Sequence, residues 1–198
     1  MQNKIVTLPS PKTKGGIPVE LALQNRRSVR KYSKKPLTPV EVSQLLWAAS
    51  GITSSRDFRT APSAGATYPI EIYILILNVK DIETGLYQYN YHNHTLIFYK
   101  NIQSPKPFVA AGLGQDFISE AAINIILTAE YSRTTMTYGE RGRRYVWMEA
   151  GHIAENIHLQ AESLGLGTVV IGAFYDEEVK KFLNIKEEPL CIMPVGRK

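Results

Sequence analysis

The chain has 198 residues, 44% of them apolar, with 23 Lys and Arg against 18 Asp and Glu, one cysteine and a formal net charge of +5. That length suits one domain with a real core, and a single thiol at Cys191 excludes an intramolecular disulfide and leaves no thiol pair for a metal cluster. No apolar run approaches the roughly 20 residues that cross a bilayer, and the N-terminus lacks the apolar stretch of a secretory signal, so a cytoplasmic address is expected and the positive balance suits an anionic ligand or partner.

Residues 1–20 are rich in Pro, Gly and Lys and read as an extended arm laid on the surface. A helix is expected from about Pro18, carrying Leu21 and Leu23. The next segment, Asn25-Arg26-Arg27-Ser28-Val29-Arg30-Lys31, with Lys34 and Lys35 behind it, puts six cations into residues 26 to 35. It reads either as a solvated basic face or as a phosphate cradle, because guanidinium forks and a serine hydroxyl match phosphate oxygens. Thr38 and Glu41 form a capping box with Pro39 at the first helical position. A helix is therefore predicted there, with Val42, Leu45, Leu46 and Ala49 turned inward and a stop at Gly51.

The segment 61–69 sets small residues between two prolines. It is either a shaped loop against which a flat ligand can lie or an ordinary tight loop feeding a strand over 70–77. A hairpin follows over 86–91 and 96–99 about His92, Asn93 and His94; these histidines have no matching Cys, Asp or Glu spacing, so a metal site is not expected. A helix is predicted over 108–118 and a buried apolar strand over 121–129. From 131 to 145 the chain turns polar and basic, with Arg133, Arg141, Arg143 and Arg144, and is a candidate mobile lid. Those arginines suit a 2′-phosphate or an acidic substrate, or are simply solvated.

The longest pattern runs over 145–164. Val146, Ala150, Ile153, Ala154, Ile157, Ala161 and Leu164 recur at intervals of three and four, which predicts one oily helix face. Glu149, His152, Glu155, Asn156, Gln160 and Glu162 take the other face. The alanines and Gly151 allow close neighbours on several sides, and Gly165 ends the helix. His152 and His158 are six apart and cannot share a face as zinc ligands would. The β-branched run 168–171 predicts a strand that opens into Gly172, Ala173 and Phe174, where bare backbone N–H groups are available to a ligand heteroatom. Asp176 is expected to cap a short helix through Leu183, and 190–198 to be a last strand with a basic tip. With no repeat or linker, a single domain over 1–198 is the economical count.

Taken together these segments resemble the FMN-dependent nitroreductase superfamily, and within it the SagB-type branch named after peptide azoline dehydrogenases. The resemblance is carried by Leu8, Pro9 and Pro11, by residues 25–32 and 45–51, by Pro62-Ser63-Ala64-Gly65-Ala66-Thr67-Tyr68-Pro69 and by Gly85, Leu86, Tyr87 and Tyr89. It continues through Tyr138, Gly139 and Arg141, through Gly151, His152, Ile153, Ala154 and Asn156, and through Gly165-Leu166-Gly167 and Pro194-Val195-Gly196-Arg197. It implies an α+β fold, a nitroreductase-like central antiparallel sheet flanked by helices, built as an intertwined homodimer with FMN sites at the interface. By position, Arg26, Arg27 and Ser28 would hold the FMN phosphate and Arg30 would approach the pyrimidine side. Pro62, Ser63, Ala64 and Gly65 would lie beside the ring. Ile171, Gly172 and Ala173 would line it, with the N–H of Gly172 or Ala173 donating to N5 or O4. Many members carry a longer C-terminal tail with phosphate-binding cations, for which Arg197 and Lys198 would substitute. Tyr131, Arg133, Tyr138 and Arg141 would form the pocket or lid.

The implied reaction needs no covalent catalyst and no metal. It is ping-pong hydride transfer through flavin N5 from NAD(P)H to a nitroaromatic, a quinone or another small acceptor; the alternative within the family is SagB-type dehydrogenation of a small molecule or peptide-derived heterocycle, with oxygen as acceptor. A flavin-holding protein without turnover is a third reading. A nucleic-acid-binding module on residues 26–35 is the reading from another class, and it is disfavoured because aromatics are not interleaved with the cations.

Overall fold

In the computed structural model, which describes residues 4–198, the β-branched runs assemble into one seven-stranded antiparallel sheet. Its strands are β1 (Ile5–Thr7), β2 (Ile70–Ile76), β3 (Gly85–Asn90), β4 (Thr95–Lys100), β5 (Ile123–Ala129), β6 (Leu166–Thr168) and β7 (Glu188–Arg197), in the spatial order β1-β4-β3-β2-β5-β7-β6. β5 pairs with β2 on one side and β7 on the other and is buried at every residue. A strand covered on both faces has no polar alternation, which is why its sequence reads as a mostly apolar run in which Asn124 and Thr128 are buried as well.

The helices are α1 (Val19–Asn25), α2 (Pro39–Ser50), α3 (Lys106–Ala111), α4 (Phe117–Glu120), α5 (Ser132–Tyr138), α6 (Arg141–Ser163) and α7 (Asp176–Leu183). Successive strand residues point to opposite faces, and the two faces have different cover. Ile72, Ile74, Ile125, Leu127, Met193 and Val195 pack against Leu45 and Leu46 of α2 and Val146, Ile153 and Ile157 of α6. Tyr73, Leu75, Ile126 and Ile192 pack against Phe108 of α3, Ile118 of α4 and Val179 and Leu183 of α7. The chain thus adopts the expected α+β fold, with helices on both sides of a central antiparallel sheet.

The capping box forms as predicted. Thr38 Oγ1 accepts the Glu41 N–H at 3.3 Å, the Glu41 carboxylate accepts the Thr38 N–H at 2.8 Å, and α2 stops before Gly51. Gly165, at φ 69°, takes the left-handed position that follows α6.

Other expectations are corrected. α6 begins at Arg141, so the segment expected as a lid is α5 and the first turn of α6. The helix expected from about Pro18 does form, as α1, with Leu21 and Leu23 exposed and Ala22 packed inward. The helix expected over 108–118 is broken between α3 and α4, where Leu113 and Gly114 adopt positive φ. The strand expected over 168–171 is the short β6 followed by one isolated bridge, Ile171 to Ile192. Asp176 is the first residue of α7, capped by Tyr175 without a side-chain bond. Ala150, Ala154 and Ala161 close on this chain's own core, whereas Trp147, Met148, Gly151 and His152 make the uncovered face of α6.

The arm is tied down. Its first three residues lie outside the described part, β1 extends the sheet beyond β4, and the Pro9 carbonyl accepts the Ser43 hydroxyl. His94 Nε2 lies 2.7 Å from Ser43 Oγ, and its Nδ1 lies 2.8 Å from the Tyr89 hydroxyl. His94 is therefore a half-buried anchor of the arm, and burial lowers its pKa.

Thr38→Ala removes one half of the capping box and should lower stability to urea by about 1 kcal/mol. An unchanged unfolding midpoint would mean that Arg197, whose guanidinium also reaches Glu41 at 2.9 Å, holds the start of α2 unaided.

Candidate active site

The cation-rich segment is not a free tail. Ser28 forms a parallel bridge with Thr168, the Val29 N–H donates to the Thr168 carbonyl at 2.9 Å, and Ser33 pairs with Arg197. A Cβ at Gly167 would come within 2.7 Å of the Val29 side chain, so glycine there is the condition for this close approach. Tyr32 locks the same seat by donating its hydroxyl to the Val29 carbonyl at 2.7 Å and the Pro194 carbonyl at 3.2 Å.

Seated in this way, Arg27, Ser28 and Arg30 are exposed, and Arg27 and Arg30 have no carboxylate partner among the described residues. Arg26 lies 3.8 Å from Glu155 of α6 and also faces His158. Burial and that guanidinium push the His158 pKa down to about 4, so this histidine is neutral and structural. The two C-terminal cations are engaged elsewhere. Arg197 donates to Glu41 and to the Pro36 carbonyl, and Lys198 donates to Glu162.

Past β6 the chain bridges once at Ile171 and leaves the sheet. Gly172 and Ala173 are exposed, and neither backbone N–H has a protein acceptor among the described residues. A Cβ at Gly172 would meet no atom within 4 Å. Gly172 opens onto a cavity of about 600 Å³ whose wall includes Tyr131, Arg143, Trp147 and Phe174. The Arg143 guanidinium stacks over the Tyr131 ring at 5.0 Å and pairs with Glu140.

The segment 62–69 forms a second group with α5. Thr67 Oγ1 meets Thr134 Oγ1 at 2.8 Å, and Arg133 bridges the Tyr68 carbonyl and Glu71. A Cβ at Gly65 would lie 2.7 Å from the Tyr138 hydroxyl. This loop is strained: Gly65, Ala66 and Tyr68 all hold positive φ, and two of them carry side chains. Beneath it, on α6, lies a carboxyl that the sequence reading set on the polar face. Glu149 is 5% exposed, and burial pushes its pKa up to about 7, opposed in part by the Ser63 hydroxyl and the Arg59 guanidinium. Arg59 is itself clamped between the rings of Tyr68, at 3.9 Å, and Tyr91, at 3.5 Å.

The sequence profile of the nitroreductase family matches residues 23–197. The chain belongs to the nitroreductase family. It is 50% identical over 182 residues, 92% of each chain, to a Methanocaldococcus jannaschii protein named as a nitroreductase. It is 26% identical over 147 residues to the microcin B17-processing protein McbC of Escherichia coli, matching 70% of this chain and 54% of McbC. Among solved structures, a nitroreductase of Ralstonia eutropha superposes with a TM-score of 0.85 at 29% identity, covering 98% of this chain and 89% of the other. The NADPH:FMN oxidoreductase of Vibrio harveyi, with a TM-score of 0.64 at 17% identity over 90% of this chain and 68% of its own, shares the fold.

In this nitroreductase-family chain the expected site residues fall into two groups. Arg26, Arg27, Ser28 and Arg30 share one sheet edge with β6, beside the loop that carries Gly172 and Ala173. Ser63 and Gly65 belong with Tyr138, and Arg133 reaches the same loop through Tyr68. Tyr131 shares the cavity wall with Gly172, whereas the cations of residues 26–30 do not line it, and Arg141 is exposed at the start of α6. Glu149 and Arg59 were missed. The signal was present for Glu149: it stands three residues after Val146 and four before Ile153, on the stripe that builds the core.

The sign of the Glu149 shift gives a stability prediction. Its folded pKa lies above the usual carboxyl value of 4.5, so the unfolded chain releases this proton first and the carboxyl erodes stability as pH rises from 4.5 to about 7. Glu149→Gln removes that erosion. Melting temperatures across this window should show the variant gaining on the parent as pH rises; His158 contributes equally to both and cancels. A constant difference would mean that the Glu149 carboxyl is solvated.

Proposed function

We propose that this nitroreductase-family oxidoreductase is an FMN-dependent cytoplasmic enzyme that passes hydride from NAD(P)H to a nitroaromatic, a quinone or another small acceptor, acting as a homodimer. The observation that carries this reading is the seat of the cations: Arg27 and Arg30 flank an exposed Ser28 on the sheet edge from which the chain leaves for Gly172, whose N–H is open. An anionic group with a flat ring attached fits a cation pair at one end and bare backbone donors at the other.

Bound FMN would supply the two-electron hydride chemistry. The residues supply everything around it. Arg26, Arg27 and Ser28 would hold the phosphate, and Arg30 would favour negative charge on the pyrimidine side. The N–H groups of Gly172 and Ala173 would orient the ring, and the loop 62–65 would border it. Arg197 and Lys198, already paired with Glu41 and Glu162, act as buttresses of the phosphate seat. Tyr131, with Arg143 stacked on it, and Trp147 wall the cavity in which a second flat molecule can sit.

The homodimer reading is supported by α6, which leaves Trp147 54% and Met148 52% exposed beside Gly151 and His152. An apolar strip of that kind on a central helix is suited to a second copy. No described helix is long and apolar enough to cross a membrane. A second reading, dehydrogenation of a peptide-derived heterocycle with oxygen as acceptor, is favoured by the similarity to McbC, a microcin-processing protein.

Gly172→Val separates cofactor contact from folding, because an added Cβ there meets no protein atom. The variant should unfold like the parent and bind FMN at least about tenfold more weakly, measured by quenching of flavin fluorescence. Arg30→Ala should also weaken binding, and with a shallower dependence on salt. Parental FMN affinity in both variants would remove FMN from this edge.

A further inference from the structure

We propose that Gln115 is a positioning residue of this site: its side-chain amide holds the Ala173 carbonyl and so keeps the bare N–H groups of Gly172 and Ala173 in place for the flavin ring. This rests on the FMN reading above and extends it to a residue that touches no ligand.

The span that carries those N–H groups is fixed at both ends. At one end Ile171 exchanges two backbone bonds with Ile192, at 2.9 and 3.0 Å, and so belongs to the sheet. At the other the Tyr175 N–H donates to the Ala111 carbonyl at 2.8 Å, and Tyr175 caps α7. Between these ends lie Gly172, Ala173 and Phe174, of which Phe174 packs on the core. Among the described residues one hydrogen bond reaches this stretch: Gln115 Nε2 donates to the Ala173 carbonyl at 3.1 Å. The same nitrogen donates to the Gly112 carbonyl at 2.7 Å. A primary amide nitrogen carries two hydrogens, and here each has a carbonyl to meet. The side chain is thereby steadied by its own segment on one side and holds the loop on the other.

The break between α3 and α4 explains how both ties arise. In an unbroken helix the Ala111 carbonyl would accept the N–H of residue 115. Positive φ at Leu113 and Gly114 ends the helix first, so the Gln115 N–H turns to the Gly112 carbonyl at 3.3 Å and the Ala111 carbonyl is released to Tyr175. The same turn brings the Gln115 side chain to Ala173. A helix running on over 108–118, as the sequence pattern suggests, would leave Ala111 no acceptor for Tyr175. Phe108, Ala111 and Ile118 seat this segment in the core, so the loop is held relative to the sheet.

The consequence is a span ordered before any ligand arrives. Gly172 and Ala173 are exposed, and their N–H groups have no protein acceptor among the described residues. Were the middle of the span untied, the ring would have to order it on binding, and that cost lowers affinity.

The test compares the parent with Gln115→Met, Gln115→Glu, Gly172→Val and the double variant Gln115→Met/Gly172→Val. FMN affinity is read by flavin fluorescence and the ring's surroundings by visible circular dichroism of the bound flavin. In the ligand-free protein, hydrogen exchange of the Tyr175 amide reads the tie directly. Methionine matches the length of glutamine without its donor, and glutamate keeps the shape but turns an acceptor oxygen toward a carbonyl. Both should unfold like the parent, exchange faster at Tyr175 and lose about fivefold in FMN affinity, with altered dichroism. Gly172→Val already disturbs the contact that Gln115 serves, so adding Gln115→Met to it should cost less than about twofold more. An equal loss from Gln115→Met in both backgrounds would place its action elsewhere and overturn the proposal. Parental affinity and parental exchange in the single variants would do the same. If one of the two Gln115 variants fails to fold, the other decides the matter. A parent that binds no FMN overturns the cofactor reading and this proposal with it; a parent that binds beside indifferent variants overturns only the role of Gln115.

Discussion

The close approach of residues 28 and 29 to β6 is the constraint on which the candidate site depends. A run of six cations within ten residues repels itself and would drift in solvent if left as a tail. Here the Val29 N–H is bonded to Thr168 and its side chain lies over Gly167, so the charges are held along one rigid edge. The same weld extends to the chain end. Arg197 ties the close of β7 to Glu41, and Glu41 is at once the capping residue of α2. One carboxylate therefore couples a helix start, a strand end and the seat of the cations. Such charge-assisted, part-buried bonds are worth more than surface pairs because solvent screens them less.

The second group answers to a different kind of force. The loop 62–69 stores backbone strain and is held against it by hydroxyls and by a guanidinium, all short-range and directional. Between the two groups α6 runs as a common spine, with Glu149 beneath the loop and Glu155 beside Arg26. In the proposed reading, the cations, bare N–H groups and shaped wall would bind and orient a cofactor that supplies the reactivity.

How much of this the sequence disclosed follows from the range of the forces. The capping box at Thr38 and Glu41, the left-handed stop at Gly165 and the strand of β5 are local, and local pattern revealed them. The cation run was legible as a dense positive segment, but its seat on β6 was not, since nothing near Ser28 announces Thr168. The strained conformations of Ala66 and Tyr68 depend on Thr134 and Arg133, more than sixty residues away in the chain. Glu149 was misplaced because its charge was weighed above its spacing from Val146 and Ile153. The alanines of α6 were rightly seen as a close-packing face, and that face is turned to the chain's own sheet.

The most direct test of the account is the visible absorbance of the purified protein after FMN is added and the excess removed by gel filtration, followed by anaerobic NADH and NADPH in separate samples. The account predicts a flavin spectrum that elutes with a species of twice the chain's mass and bleaches with at least one of the two nicotinamides. A protein that elutes without flavin would contradict the cofactor site at Arg26, Ser28 and Gly172, and a bound flavin that neither nicotinamide bleaches would contradict the proposed electron donor.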